Sequence, residues 1–206
     1  MGISFILKKI FWRYYYIKTL FFYKPFIKKA YGKLIVINPI VFSSKHLITG
    51  KNVFIRNNAR VEAVEQHQGI KYNPVIELSD GVSIEQSLHL TCASKIFIGA
   101  NTSISANVTI TDIHHPYTDI DQPPEKQPFE VREVNIGANC KIYNNAVILP
   151  GTNIGKHVTV GANSVVIGIE YPDFCVIAGA PAKIIKKYNF DTKNWENTNS
   201  AGDFIK

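Results

Sequence analysis

A chain of 206 residues with 46% hydrophobic content is long enough for one domain with a real core, which excludes a disordered or low-complexity protein. Three cysteines, Cys92, Cys140 and Cys175, are odd in number and show no C-x-x-C pair, so they read as reduced packing residues in a cytoplasmic protein rather than a disulfide framework. The net charge of +7 is confined to one end: residues 1–33 hold eight lysines and arginines and no acid, the first carboxylate is Glu62, and elsewhere fifteen cations face sixteen acids. A uniformly basic nucleic-acid face is excluded.

Residues 1–33 form the first segment, MGISFILKKIFWRYYYIKTLFFYKPFIKKAYGK, read as helical, with eleven aromatic residues among its cations. Lys8, Lys9 and Arg13 cut its apolar runs, so it is neither a membrane span nor a secretory signal. Two readings are compatible: a helix capping an open sheet edge, and a segment making peripheral contact with an anionic membrane.

From Leu34 the pattern changes to short β-type runs, L-I-V-I, H-L-I-T, N-V-F-I and V-I-E-L, punctuated by turn residues. Residues 62–74 lose the pattern and read as a loop, in which His67 is a solvated residue without a role. Regularity resumes at Ile84 and Leu90 and again at Ile98, Ile104 and Ile110, with Asn101 and Asn107 three residues after the aliphatics. Residues 111–133 carry four prolines and no such period, so they form an excursion loop.

The period is clearest next: Ile136, Ile142, Ile148, Ile154, Val160 and Val166 return every sixth position. A small or short-branched residue lies two positions before each, and Asn139, Asn145, Gly151, His157 and Asn163 lie three after. The aliphatic and small residues point inward; Asn, Gly and His tolerate the left-handed conformation of a sharp corner. His157 is thereby a turn residue. A short strand and a corner per six residues, three to a coil, describe an all-β parallel β-helix over residues 34–178.

These units, I-G-A-N-C-K, I-Y-N-N-A-V, I-L-P-G-T-N, I-G-K-H-V-T and V-G-A-N-S-V, resemble those of the hexapeptide-repeat acyltransferases. The resemblance implies a left-handed coil and a homotrimer with active sites between subunits. Within the family, Asp112-Ile113-His114-His115-Pro116 is similar to the His-Pro of the galactoside, maltose and nodulation acetyltransferases. There the histidine acts as general base on a sugar hydroxyl attacking acetyl-CoA, which assigns that role to His115. Imidazole suits the role because its ordinary pKa lies near neutrality. Glu85, His89, Asp112 and His114 are candidates for binding the acceptor or orienting the base. The terminal Gly179-Ala180-Pro181-Ala182-Lys183-Ile184-Ile185-Lys186 is similar to the family's G-x-P-x-[KR]-x-x-[KR], which assigns coenzyme A phosphates to Lys183 and Lys186. By the same correspondence Asn144, Ala162, Ile167 and Gly168 line the pantetheine groove. Residues 179–206 are expected to form a turn, a short basic helix and a polar tail.

The expectation is an acetyl-CoA-dependent O-acetyltransferase, without a metal, modifying a sugar of bacterial surface polysaccharide at the inner face of the membrane. Its acceptor would be a carbohydrate, either polymeric or lipid-linked, and not nucleic acid. Alternatives are an N-acetyltransferase on a nucleotide-linked amino sugar, a zinc-dependent carbonic anhydrase on the same coil, with His89, His114 and His115 as nitrogen donors, and a non-catalytic scaffold.

Overall fold

The computed structural model describes residues 3–199 and 201–205; residues 1, 2, 200 and 206, the extremities of the first and last segments read above, lie outside it. One helix, α1 (Ile3–Phe22), precedes a parallel β-helix whose strands stack into three long sheets. Among the described residues six coils are complete, the first entered at Lys29–Ala30 and the sixth left at Val165–Val166.

Each coil contributes one strand to each sheet. The first sheet stacks Leu47–Thr49, Val75–Leu78, Lys95–Ile98, Val134–Ile136 and Asn153–Ile154 in order. The second stacks Val53–Ile55, Ser83–Ile84, Ser103–Ile104, Lys141–Ile142 and Thr159–Val160, and the third stacks Arg60–Ala63, His89–Cys92, Thr109–Thr111, Val147–Ile148 and Val165–Val166. The register carries every sixth-position aliphatic onto its counterpart, so that Ile84, Ile104, Ile142 and Val160 form one buried ladder and Leu90, Ile110, Ile148 and Val166 another. These ladders, with Leu78, Ile98, Ile136 and Ile154, are the core.

Corners follow the residues that read as turns. Asn101, Asn107, Asn139, Asn145 and Asn163 lie at φ between 57° and 61°, and His157 lies at 57° in the same role. A β-branched residue would be strained there. At Gly137 the constraint is space: a Cβ would come within 2.5 Å of the Gly155 carbonyl carbon on the next coil.

Three details differ from the sequence reading. The coil begins at Lys29–Ala30 rather than Leu34, and the segment 62–74 contains a small hairpin, Gln66–His67 with Ile70–Lys71. The expected C-terminal basic helix is instead a strand, Ala182–Asn189, antiparallel to Cys175–Gly179 and followed by Asn194–Asn197. The physical reason is the edge left by Cys175–Gly179, whose unpaired backbone is satisfied by the β-branched K-I-I-K-K-Y run more fully than a lone helical turn would satisfy it.

Candidate active site

The excursion loop is rooted by a two-residue antiparallel pair, Ile113–His114 with Glu130–Val131, and folds over the outer face of the third sheet. Strand alternation there puts Ile113 and His115 on one side and His114 on the other. Ile113 and His115 line an open cleft of about 430 Å³ whose floor is the outward side chains of successive coils, Arg60, Glu62, His89, Thr91, Thr109 and Thr111. The register makes this floor a lattice: Arg60, His89 and Thr109 are neighbours across strands, as are Glu62, Thr91 and Thr111. Arg60 Nε donates to Glu62 Oε2 at 2.7 Å, and Thr91 donates to Thr111 at 2.9 Å.

His115 is asymmetric. Its Nδ1 is buried without a hydrogen-bond partner and faces Glu125 Oε1 at 3.7 Å, although the side chain as a whole is 40% exposed. The exposure therefore belongs to the part of the ring away from Nδ1. Phe129 meets the imidazole edge-on at 4.7 Å between ring centres, and His67 stacks flat on the far side of the cluster against Phe129 at 3.8 Å. His67 Nε2 also lies 3.2 Å from the carbonyl of Gln127, and Gln68 Nε2 donates to the Glu125 carbonyl at 3.0 Å. Gln127 is buried and its amide donates to the carbonyls of Asp119 and Gln122. Tyr72 Oη accepts from the Phe129 N–H at 3.2 Å. His67 is thus half-buried and part of the brace holding the excursion loop, not a free loop residue as expected. The H-Q-G-I turn, with Gln68 and Gly69 both at positive φ, was the available sign of a hairpin; its docking against a loop some sixty residues away left no local trace.

The expected acceptor-binding set does not stay together. His89 lies on the cleft floor. His114 faces away from it, against Tyr117. Glu85 sits at the corner between the second and third sheets beside Arg56, whose Nε is 3.1 Å away, and does not line the cleft. Asp112 is fully buried: its carboxylate accepts from the backbone N–H groups of Ala93 and Ser94 at 2.8 and 2.7 Å and from the Cys92 thiol at 3.3 Å. It pins the loop root to the coil beneath and cannot touch an acceptor. Burial raises its pKa, an effect those two N–H donors oppose.

The residues assigned to the donor lie further along the coil. Asn144 and Ala162 are stacked at one corner, joined by Asn163 N–H to the Asn144 carbonyl at 3.0 Å. Ile167 and Gly168 lie at the opposite border of the same third-sheet strands, where a Cβ on Gly168 would fall 2.1 Å from the Pro150 oxygen. The four flank the face carrying Val147 and Val165. Thr109, Val147 and Val165 are in register from coil to coil, so this face continues the cleft floor, roughly 5–10 Å along the axis at about 4.8 Å per coil.

Lys183 and Lys186 are exposed on the strand Ala182–Asn189. Three residues apart, they would face opposite sides of a regular strand. A bulge resolves this: Lys183 pairs with Ala178 and Lys186 with Val176, leaving Ile185 as the extra residue. Ala178 and Val176 lie on one face of their strand, so both ammonium groups do too. Among the described residues no three His, Cys, Asp or Glu side chains stand close enough to hold a metal ion.

Residues 133–168 match the family described as bacterial transferase hexapeptide, six repeats. Over 129 residues the chain is 43% identical to a protein of Escherichia coli K12 named a lipopolysaccharide biosynthesis O-acetyl transferase, WbbJ, covering 59% of this chain and 65% of that one. The chain thus spans less than two thirds of that relative's length. Its fold matches AntD, an N-acyltransferase from Bacillus cereus in complex with dTDP and 3-hydroxybutyryl-CoA, with a TM-score of 0.67 at 17% identity over 82% of this chain and 87% of AntD. It also matches a hexapeptide-repeat acetyltransferase of Vibrio cholerae complexed with acetyl coenzyme A, with a TM-score of 0.56 at 19% identity over 84% and 78% of the two chains. Repeat and coil agree: the chain folds as a left-handed parallel β-helix, with hexapeptide repeats matched over residues 133–168.

Proposed function

We propose that the protein is an acetyl-CoA-dependent O-acetyltransferase acting on a sugar hydroxyl in the assembly of bacterial surface polysaccharide. The observation that carries this reading is His115, with Nδ1 turned inward toward Glu125 and the rest of its ring open to the cleft. In this reading Nδ1 bears the hydrogen and Nε2 is the base. Nε2 takes the proton of the acceptor hydroxyl as its oxygen attacks the thioester carbonyl; the tetrahedral intermediate then collapses, the C–S bond breaks, and the imidazolium returns the proton to the coenzyme A thiolate. Glu125 steadies the imidazolium during that interval, closing a gap that is now slightly longer than a hydrogen bond.

The pairs Arg60 and Glu62, Thr91 and Thr111 supply the donors and acceptors that a sugar's hydroxyls need, and His89 lies among them. Lys183 and Lys186 receive the donor's phosphates, and the face between Asn144, Ala162, Ile167 and Gly168 carries its pantetheine arm. The chain works as a homotrimer, with a neighbouring subunit closing that face, on the cytoplasmic side of the membrane. WbbJ's name supports an O-acyl product; AntD's title keeps an amino-sugar acceptor as the second reading.

Thiol release from acetyl-CoA in the presence of sugar, glycan and nucleotide-sugar acceptors tests the proposal. Wild-type protein should release thiol with at least one sugar hydroxyl acceptor, and His115→Ala should lower turnover by about 10²–10⁴-fold. A product that survives mild hydroxylamine would be an amide and would move the reading to amine acylation. Turnover unchanged in His115→Ala would remove the histidine from the mechanism.

A further inference from the structure

Helix α1 presents two faces of different use. Toward the coil it turns Trp12, Tyr15, Tyr16 and Thr19: Trp12 packs on Phe54 at 5.0 Å between ring centres, the Tyr15 hydroxyl accepts from Asn38, and Thr19 Oγ1 accepts the Val36 N–H at 2.9 Å. That face covers the open edge of the first coil. The opposite face is apolar and exposed: Leu7, Ile10, Tyr14, Ile17 and Phe21, spaced i, i+3, i+7, i+10 and i+14, are each more than half exposed. Buried packing on one side fixes the helix, so this stripe cannot fold back onto its own coil.

Cations border the stripe. Arg13 lies exposed on one flank; Lys18, on the other, is half-buried and its ammonium donates to Asn38 Oδ1 at 2.7 Å, while Lys28 and Lys29 are exposed just beyond the helix, and residues 1–33 contain no acid. A second copy of this face would bring like charges together, whereas an anionic surface neutralises them. No helix among the described residues is long and apolar enough to cross a membrane, which leaves α1 lying along a surface rather than through it.

We propose that α1 docks the protein on an anionic phospholipid bilayer, lying in the interface plane with Leu7, Ile10, Tyr14, Ile17 and Phe21 among the upper acyl chains and the flanking cations at the headgroup phosphates. The proposal does not depend on acetyl transfer, and its test reads binding alone. The full chain is floated with phosphatidylcholine vesicles and with vesicles containing about one third phosphatidylglycerol, at low and high salt. Wild-type protein should float with the anionic vesicles only, and less so at high salt. Ile10→Asp/Ile17→Asp should abolish flotation, and Arg13→Glu/Lys28→Glu should weaken it by more than roughly fivefold per reversed charge. All four positions are exposed, so circular dichroism and unfolding midpoints should match the wild type; if the first variant unfolds, the second still decides. Wild-type protein that stays with neither vesicle, or variants that bind as it does, would overturn the proposal. So would a change of assembly mass in the Ile10→Asp/Ile17→Asp variant, because the stripe would then be an interface between copies of the chain.

Discussion

At the scale of single residues, Asp112 and His115 show how three positions of sequence separate a buried anchor from a side chain open to the cleft. Both belong to the D-I-H-H-P run, yet one is sealed beneath the loop and the other opens on the cleft. Replacing Asp112 with Ala would strand the N–H groups of Ala93 and Ser94, each costing about 1–3 kcal/mol. Chemical denaturation should therefore show Asp112→Ala less stable by roughly 2–6 kcal/mol, with Asp112→Asn, which keeps an acceptor, losing less. The raised carboxyl pKa makes a second statement. Below the carboxyl's unfolded pKa the protonated form gives its full contribution, and part of it is lost as pH rises through the folded value. That His115 stands at the root of the excursion loop was legible because His-Pro follows a complete set of coils. Glu125, Phe129 and His67 were not, since what makes them partners is the docking of two loops that the chain separates by about sixty residues.

At the scale of elements, the repeat was readable because its signal is periodic and redundant. Each coil states again which residue is inside and which turns the corner, and Asn107, Asn145 and His157 confirm the corners with positive φ. The strand Ala182–Asn189 has no such redundancy. Lys183 and Lys186 look alike on a helix face and on a bulged strand, and only the free edge of Cys175–Gly179 decides between them. The bulge yields a prediction that a helix would not. Deleting Ile185 should restore regular pairing with Lys183 and Lys186 two residues apart and still on one face, so coenzyme A affinity should stay near that of the wild type, whereas Lys186→Ala lowers it by about tenfold. A loss in the deletion variant as large as that of Lys186→Ala would contradict this register.

At the scale of the whole molecule, the stacked ladders leave Cys92, Cys140 and Cys175 fully inside, and desolvation pushes all three thiols up, Cys175 to about 12. Native protein should resist a thiol reagent that reacts with all three cysteines after denaturation. The sign of the pH effect follows: the unfolded chain ionises its thiols from about pH 8.5, the folded chain does so later, and stability should fall as pH rises from there toward 12. A Cys→Ser series, followed by unfolding at pH 8 and pH 10, would show a smaller fall if the thiols are its source. The length of the coil also separates the cleft over the second to fourth coils, with Arg60, Glu62, His89 and three threonines on its floor, from the face of the fifth and sixth that carries Val147 and Val165. The most direct measurement is a calorimetric titration of acetyl-CoA into the wild type, Lys183→Ala and His115→Ala, paired with thiol release in the presence of a sugar acceptor. The account predicts binding that weakens by about tenfold in Lys183→Ala and persists in His115→Ala, where only turnover is lost. Absence of binding to the wild type, or full turnover without His115, would contradict it.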